Sequence, residues 1–197
     1  MDALAGSLIR LRTDLRSLGV RWALIGGLAV SIRTEPRTTR DIDVATAVHD
    51  DREAEEMVRE LFDRGYGFVG QLEHKDKKRL ATVRASTPRS VGFEVVIDLL
   101  FASSGIEVEI VHEAELLEVF PHVQAPVART GHLIALKILA ARPERPQDVF
   151  DARALVQTAN PSEIRRARAA LDLIDRRGYH RDQDLQAKLE ELLASVG

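Results

Sequence analysis

The segment TTRDIDVA, residues 38–45, places two carboxylates two positions apart in an otherwise apolar stretch. Asp41 and Asp43 alternate with Ile42 and Val44, which is the pattern of a β-strand whose side chains point to opposite faces in turn. Two carboxylates on one face repel each other unless a cation lies between them. Magnesium takes carboxylate oxygens together with substrate phosphates, so the pair predicts a magnesium site. Two solvated aspartates on an exposed strand are the alternative.

The residues around this pair favour the metal site. A predicted strand, VRWALI, stops at Gly26 and Gly27, and a short predicted helix, LAVSIR, follows. Paired glycines let the backbone approach a ligand, and a helix N-terminus offers free N–H groups to a phosphate. A third carboxylate, Asp98, lies in the strongly apolar segment FEVVIDLLF, where a charge needs a partner. Asp98 would complete a second metal site; pairing with an arginine is the alternative, and Glu94 on the same face competes for the role.

The composition is that of an ordinary folded protein and excludes several classes of site. Of the 197 residues, 45% are hydrophobic and 30% charged, with a net charge of −3, so a nucleic-acid partner would need local basic patches. The absence of cysteine excludes disulfides, thiolate chemistry and cysteine-ligated zinc. The N-terminal sequence lacks the apolar region of a signal peptide, and no apolar run is long enough to span a membrane. We therefore expect a cytoplasmic protein with no membrane partner.

Hydrophobic periodicity predicts alternating strands and helices followed by a helical block. Residues 2–18 and 50–64 read as amphipathic helices, and IDVAT, YGFVG, RLATVRA, GFEVVIDLLFA and IEVEIVH read as strands. VFPHVQAPVAR contains two prolines and is expected to be an edge or connecting element. Four helices are expected from Thr130 onward, with Thr130 and Ser162 as two of their caps. The pattern predicts an α+β fold, with a core domain over residues 1–128 and a helical region over residues 129–197 packed on it.

The stretch from Leu24 to Val44 resembles the signature of the nucleotidyltransferase superfamily that includes DNA polymerase β. That signature is a hydrophobic residue and a Gly-Gly or Gly-Ser pair, then a spacer of roughly ten residues and Asp–hydrophobic–Asp. The resemblance implies a nucleotidyltransferase-type mixed β-sheet flanked by helices. It also implies two-metal nucleotidyl transfer, in which the glycine turn holds the triphosphate of an NTP and the aspartates hold Mg²⁺.

The segment HLIALKILAARPERPQDVFDARAL looks like the lysine motif and Asp-x-x-Asp motif of the AbiEii/AbiGii-type (MenT-like) toxin nucleotidyltransferases. Carried over by position, Lys137 matches the functional lysine and Asp148 the functional aspartate, while Arg142, Arg145 and Asp151 fill the surrounding pattern. Lys137 would neutralise the triphosphate. Without the resemblance, Lys137 would read as a solvated helix residue and Asp148 as a helix N-terminal residue.

The group's activity implies transfer of a nucleotide, with CTP or UTP favoured as donor, to the 3′ acceptor end of tRNA. Such a tRNA cannot be charged, so translation stops, and a cognate antitoxin would restrain the enzyme. Basic residues that could follow RNA phosphates lie at a predicted hairpin tip and on a later helix: Lys75, Lys77, Lys78 and Arg79, then Arg165, Arg166, Arg168, Arg176 and Arg177. An aminoglycoside- or lincosamide-type antibiotic nucleotidyltransferase is the first alternative. A catalytically inactive binding or antitoxin module of the same fold is the second.

Thr39 and Arg40, immediately before the acidic pair, are candidates to bind substrate phosphates. We also hypothesise that a phosphate placed on Thr39 would bring negative charge to the metal and triphosphate site and block it. The alternative is that Thr38 and Thr39 only favour the start of a strand.

Overall fold

The computed structural model describes residues 3–74, 79–88 and 94–196. Within these ranges the helices are α1 Ala3–Ser17, α2 Gly26–Arg33, α3 Asp51–Asp63, α4 Glu107–Glu113, α5 Thr130–Ala140, α6 Pro146–Thr158, α7 Pro161–Arg176 and α8 Leu185–Ala194. The strands are β1 Trp22–Ile25, β2 Asp41–Thr46, β3 Gly67–His74, β4 Arg79–Ser86, β5 Val96–Leu100, β6 Glu115–Phe120 and β7 Val123–Val127. The last four of these helices, α5 to α8, all lie after residue 129.

The strands form a single mixed sheet in the order β3-β4-β5-β2-β1-β7-β6. Strand β2 pairs antiparallel with β1 and parallel with β5, and β1 pairs parallel with β7. Helix α5 packs against α2, α6, α7 and α8, and one apolar core takes side chains from both the sheet and these helices. The fold is α+β, with a mixed sheet flanked by helices, which confirms the fold class expected from the sequence.

Strand β2 lies in the middle of the sheet and has one polar and one apolar face at its start. Ile42 and Val44 are completely buried, whereas Asp41 and Asp43 are only partly covered. The alternation in the sequence therefore becomes an alternation between core and cleft. This placement puts both carboxylates at the beginning of a central strand, next to the strand ends of its two neighbours.

The segment IEVEIVH is helical, so the expectation of a strand there was wrong. Its alternating apolar residues also have the four-residue spacing of a helix face, and Ile106 and Ile110 are both completely buried. The Glu107 carboxylate accepts hydrogen bonds from the backbone N–H groups of Ser103 and Ser104 at 2.9 and 2.7 Å, which fixes the turn that precedes the helix. Tertiary packing and this local bond decide between the two patterns.

The segment VFPHVQAPVAR is not simply an edge element. It holds the end of β6, a turn in which His122 has a φ of 66°, and the whole of β7. Strand β6 is the edge strand, and β7 lies between β6 and β1. Pro126 lies opposite Leu116 of β6, and β7 pairs with β1 at Val127 opposite Leu24.

Two expected helix caps are replaced by neighbours. Helix α5 begins at Thr130 itself, and the free N–H of Gly131 is bound by Glu163 Oε2 of α7 at 2.7 Å. Helix α7 is capped by Asn160, whose side chain accepts from the N–H groups of Ser162 and Glu163, so Ser162 is not the cap. No helix in the described ranges has the length and apolar character needed to cross a membrane.

Candidate active site

Four residues from four adjacent strands form one transverse row across the sheet. Arg84 of β4 is opposite Asp98 of β5, Asp98 is opposite Asp43 of β2, and Asp43 is opposite Ile25 of β1. Gly26 and Gly27 follow Ile25 directly as the start of α2. The row therefore runs from the Arg84 end, through the carboxylates, to the glycine end.

The three carboxylates Asp41, Asp43 and Asp98 converge at the centre of this row. One oxygen from each lies within 4.8 Å of the other two. Three negatively charged oxygen donors at this separation suit a hard divalent cation such as Mg²⁺. Glu94, the competing third carboxylate, is exposed ahead of β5 and is not part of this group.

The electrostatic cost of this arrangement is concentrated on Asp43. Burial raises the pKa of Asp43 to about 7, and repulsion from Asp41 and Asp98 adds to the shift. Attraction to Lys137 and a hydrogen bond from the backbone N–H of Gly27 act in the opposite direction. The protein therefore keeps at its centre a carboxylate whose charge is unfavourable without a cation.

The glycine end of the row is packed so closely that a larger residue would not fit. Gly26 has a φ of +63°, and a Cβ added there would lie 1.9 Å from Asp43 Oδ2. A Cβ on Gly27 would lie 2.9 Å from both Arg37 Nη2 and Thr39 Oγ1. Thr39 Oγ1 in turn donates to Asp41 Oδ1 at 3.0 Å. The glycine turn thus brings the backbone directly against the carboxylates.

Asp98 also has the arginine partner that the sequence left open as an alternative. Arg84 Nε donates to Asp98 Oδ1 at 2.8 Å and Arg84 Nη2 donates to Asp98 Oδ2 at 2.6 Å. The carboxylate is mostly buried, whereas the Arg84 side chain is 51% exposed. These hydrogen bonds hold the pKa of Arg84 above its usual value. Asp98 therefore belongs both to the acidic triad and to an ion pair.

Lys137 is held by a pair of aspartates on α6. Its Nζ lies 2.7 Å from Asp148 Oδ1 and 2.9 Å from Asp151 Oδ2. Burial alone would lower the pKa of Lys137, but its hydrogen bonds to these two aspartates outweigh burial and leave the pKa raised. Arg37 Nη2 donates to Asp151 Oδ2 at 2.9 Å, which joins this clamp to the glycine turn.

A cleft of about 530 Å³ contains the triad, both glycines, Thr39, Lys137 and Asp148. Of the residues predicted for catalysis, metal binding and nucleotide binding, all but Arg40 line this cleft, and Arg40 is exposed outside it. Arg37 takes its place, and its Nε is buried without a hydrogen-bond partner among the described residues. Sequence reasoning also missed Arg84 and Arg181, whose positions depend on strand pairing and on a loop far along the chain.

Of the predicted RNA-binding hairpin tip, the structure describes only Arg79. Lys75, Lys77 and Lys78 lie outside the described residues. Arg79 begins β4, and its Nε donates to Asp51 Oδ1 at 3.1 Å. On α7 and at the residue after it, most of the candidate arginines are paired with carboxylates: Arg166 with Glu113 and Glu163, Arg168 with Glu190, Arg176 with Asp172 and Arg177 with Glu109.

Comparison with known proteins decides the family. The sequence model described as "Nucleotidyl transferase AbiEii toxin, Type IV TA system" matches residues 11–195. The chain belongs to the AbiEii nucleotidyltransferase toxin family. It is therefore a nucleotidyltransferase of a toxin–antitoxin system, and the family implies an NTP substrate and an antitoxin partner. No curated protein sequence matches it significantly.

The comparison with solved structures also finds nucleotidyltransferase-like proteins. An antigenic nucleotidyltransferase-like protein from Paracoccidioides brasiliensis is 17% identical, with a TM-score of 0.56 over 96% of this chain and 93% of that one. The lincosamide antibiotic adenylyltransferase LnuA, bound to lincomycin, is 14% identical, with a TM-score of 0.48 over 78% and 96%. JHP933 from Helicobacter pylori is 15% identical, with a TM-score of 0.45 over 98% and 90%. At 17% identity, the likeness to the Paracoccidioides brasiliensis protein supports the fold and not a function.

Gly26→Ala should remove divalent-metal binding, because the new methyl group would displace Asp43. Gly19→Ala is the matched control: Gly19 has a similar φ of +69°, but a Cβ there meets nothing within 4 Å. Both variants should lose about 1 kcal/mol of stability from backbone strain, and only Gly26→Ala should lose the binding of Mn²⁺ measured by electron paramagnetic resonance. Equal metal binding by the two variants would contradict the close packing of Gly26 on Asp43.

Asp43→Asn should stabilise the metal-free protein at alkaline pH. The folded-state pKa of Asp43, about 7, lies above its ordinary value of 3.8, so the folded state retains a proton that the unfolded chain has lost. This contribution to stability is complete below pH 4 and is lost as pH rises through 7. In EDTA at pH 8.5 the variant should exceed the wild type by roughly 1–3 kcal/mol in the free energy of unfolding. The difference should shrink toward pH 4 in urea titrations; a difference that does not change with pH would contradict the assignment.

Proposed function

We propose that this AbiEii-family enzyme uses Mg²⁺ to transfer a nucleotide from an NTP to the 3′ acceptor end of tRNA, which blocks aminoacylation and translation. CTP and UTP are the proposed donors, on the strength of the resemblance of the Lys137 and Asp148 segment to the MenT-like toxins. The proposed partners are therefore an NTP, tRNA and a cognate antitoxin. The proposed metal ligands are Asp41, Asp43 and Asp98.

The charge of the cleft carries the preference for an RNA acceptor over a cationic drug. Basic side chains line the cleft on several sides: Arg37, Arg84, Lys137, Arg145 and Arg181. Among the described acidic side chains that line it outside the triad, Asp148 is bound by Lys137 and Glu144 is exposed. A polycationic aminoglycoside would need a pocket of free carboxylates, whereas a polyphosphate chain finds complementary charge here.

The glycine end of the row suits the donor phosphates. Gly27, Arg37, Asp151 and Lys137 are joined in one series of contacts from the start of α2 to α5. The unpartnered Nε of Arg37 is a donor that lacks an acceptor within the described protein, and the α2 N-terminus offers backbone N–H groups beside it. We assign the triphosphate to this end, with Arg37 and Lys137 neutralising it.

The acceptor then approaches from the Arg84 end. Its 3′ hydroxyl oxygen attacks the α-phosphorus, the bond to the β-phosphate breaks, and pyrophosphate leaves. Asp98 is the triad carboxylate closest to this end by strand register, and we assign it to the hydroxyl proton. Bound Mg²⁺ would stabilise the attacking and leaving oxygens. The inactive-module alternative is disfavoured because all three carboxylates are present and converge.

The direct test is incubation with Mg²⁺, each α-labelled NTP in turn, and bulk tRNA. Label should enter tRNA from CTP or UTP and should vanish when the tRNA 3′ end is first oxidised with periodate, because the attacking hydroxyl is then absent. Asp41→Ala should abolish labelling, whereas Asp172→Ala, at an exposed acidic position on α7, should retain it. Labelling of lincomycin or an aminoglycoside instead of tRNA would establish the antibiotic alternative.

Thr39→Glu should lower transfer at least about tenfold, because it places a negative charge beside Asp41 and the proposed triphosphate site. Thr39→Gln has the same size without the charge and should lose much less. Thr38→Glu adds the same charge at an exposed neighbour outside the cleft and should leave transfer near the wild-type rate. Equal losses in the Glu and Gln variants would show that size rather than charge matters, and would contradict control of the site by a phosphate on Thr39.

A further inference from the structure

The ion pair between Arg84 and Asp98 occupies a carboxylate that the metal site also needs. Arg84 donates to each of the two Asp98 oxygens, at 2.8 and 2.6 Å. An oxygen of the same Asp98 lies within 4.8 Å of oxygens of Asp41 and Asp43. A carboxylate in a bidentate pair with arginine has its best acceptor positions filled, so full metal ligation competes with the guanidinium. Arg84 therefore stands where a cation would otherwise balance Asp98.

Arg84 is placed to exchange this partner for another anion. Its side chain is 51% exposed, whereas that of Asp98 is 12% exposed, so the guanidinium can turn to a ligand in the cleft while Asp98 stays in place. The planar guanidinium binds phosphate with the same bidentate geometry that it uses for carboxylate. Breaking the ion pair costs the guanidinium little free energy, because water hydrates it when it leaves Asp98.

The position of Arg84 in the row across the sheet indicates which phosphate it could bind. Arg84 is at the β4 end, and Gly26, Gly27, Arg37 and Lys137 are at the other, with Asp98 and Asp43 between them. A triphosphate held at the glycine end leaves the Arg84 end to the acceptor. The internucleotide phosphate next to an RNA 3′ hydroxyl is an anion of the required chemistry at that position.

We propose that Arg84 is an acceptor-positioning residue that holds Asp98 in the resting enzyme and releases it when it binds a phosphate at the 3′ end of the acceptor RNA. Acceptor binding and completion of the metal site are then coupled, because one guanidinium serves two anions in turn. By thermodynamic reciprocity, RNA strengthens metal binding as much as the metal strengthens RNA binding. This inference rests on the proposed function for the identity of the acceptor, and on the ion pair alone for the competition with metal.

The test measures Mn²⁺ affinity by electron paramagnetic resonance, without NTP, so that no turnover is required. Arg84→Gln should bind Mn²⁺ roughly 3- to 10-fold more tightly than the wild type, because the guanidinium no longer neutralises Asp98. Deacylated tRNA should raise the Mn²⁺ affinity of the wild type and should have no such effect on Arg84→Gln. Arg84→Lys keeps the charge but cannot engage both oxygens, so it should fall between the two. Arg52→Gln, which breaks an ion pair with Glu56 on α3 outside the cleft, is the matched control and should behave as wild type.

Each result decides a separate part of the inference. Unchanged or weaker Mn²⁺ binding in Arg84→Gln would overturn it, because Arg84 would then only orient Asp98. Tighter binding in the variant without an effect of tRNA on the wild type would overturn the coupling to the acceptor. If tRNA is not labelled in the transfer assay, the proposed function fails on its own, and the Mn²⁺ difference between wild type and Arg84→Gln still tests the competition.

Discussion

The repulsion among three carboxylates on adjacent strands is the constraint on which the rest of the site depends. Strand register brings Asp43 opposite Asp98, and the two-residue period of β2 adds Asp41 to the same face. Burial, together with this repulsion, leaves Asp43 with a pKa of about 7, a sign that the folded chain alone does not fully offset the charge. Energy from the apolar core holds this unfavourable group together, as is common where a protein prepares a binding site.

The residues around the triad stabilise its negative charge. Gly27 donates its backbone N–H to Asp43, Thr39 donates its hydroxyl to Asp41, and Arg84 pairs with Asp98. A second ionic group holds Lys137 between Asp148 and Asp151, and Lys137 and Asp148 line the same cleft. Each of these contacts either reduces repulsion or positions a cation, so acidic and basic side chains lie side by side in the cleft.

The sequence predicts the centre of the site better than its rim. The DID pattern and the Gly-Gly turn depend on local periodicity and on the small size of glycine, which are visible in a short stretch, and the structure places those residues together. The positions of Arg84 and Arg181 in the cleft depend on strand pairing and on a distant loop, which a short stretch of sequence does not reveal. The same limit explains the error at residues 106–112, where alternating apolar residues fit a strand and a helix equally well. Burial of Ile106 and Ile110 on one helix face settles it.

Membership of the AbiEii family makes the chain a toxin nucleotidyltransferase, and we propose that the register of β2 and β5 builds a site for divalent metal ions. The most direct measurement is a Mn²⁺ titration of the wild type with a non-hydrolysable CTP analogue, followed by electron paramagnetic resonance. We expect two bound Mn²⁺ ions with a spin-coupled signal, reduced to a single uncoupled ion in Asp98→Asn. A wild type that binds the nucleotide analogue without Mn²⁺, or an Asp98→Asn variant that still holds a coupled pair, would contradict it.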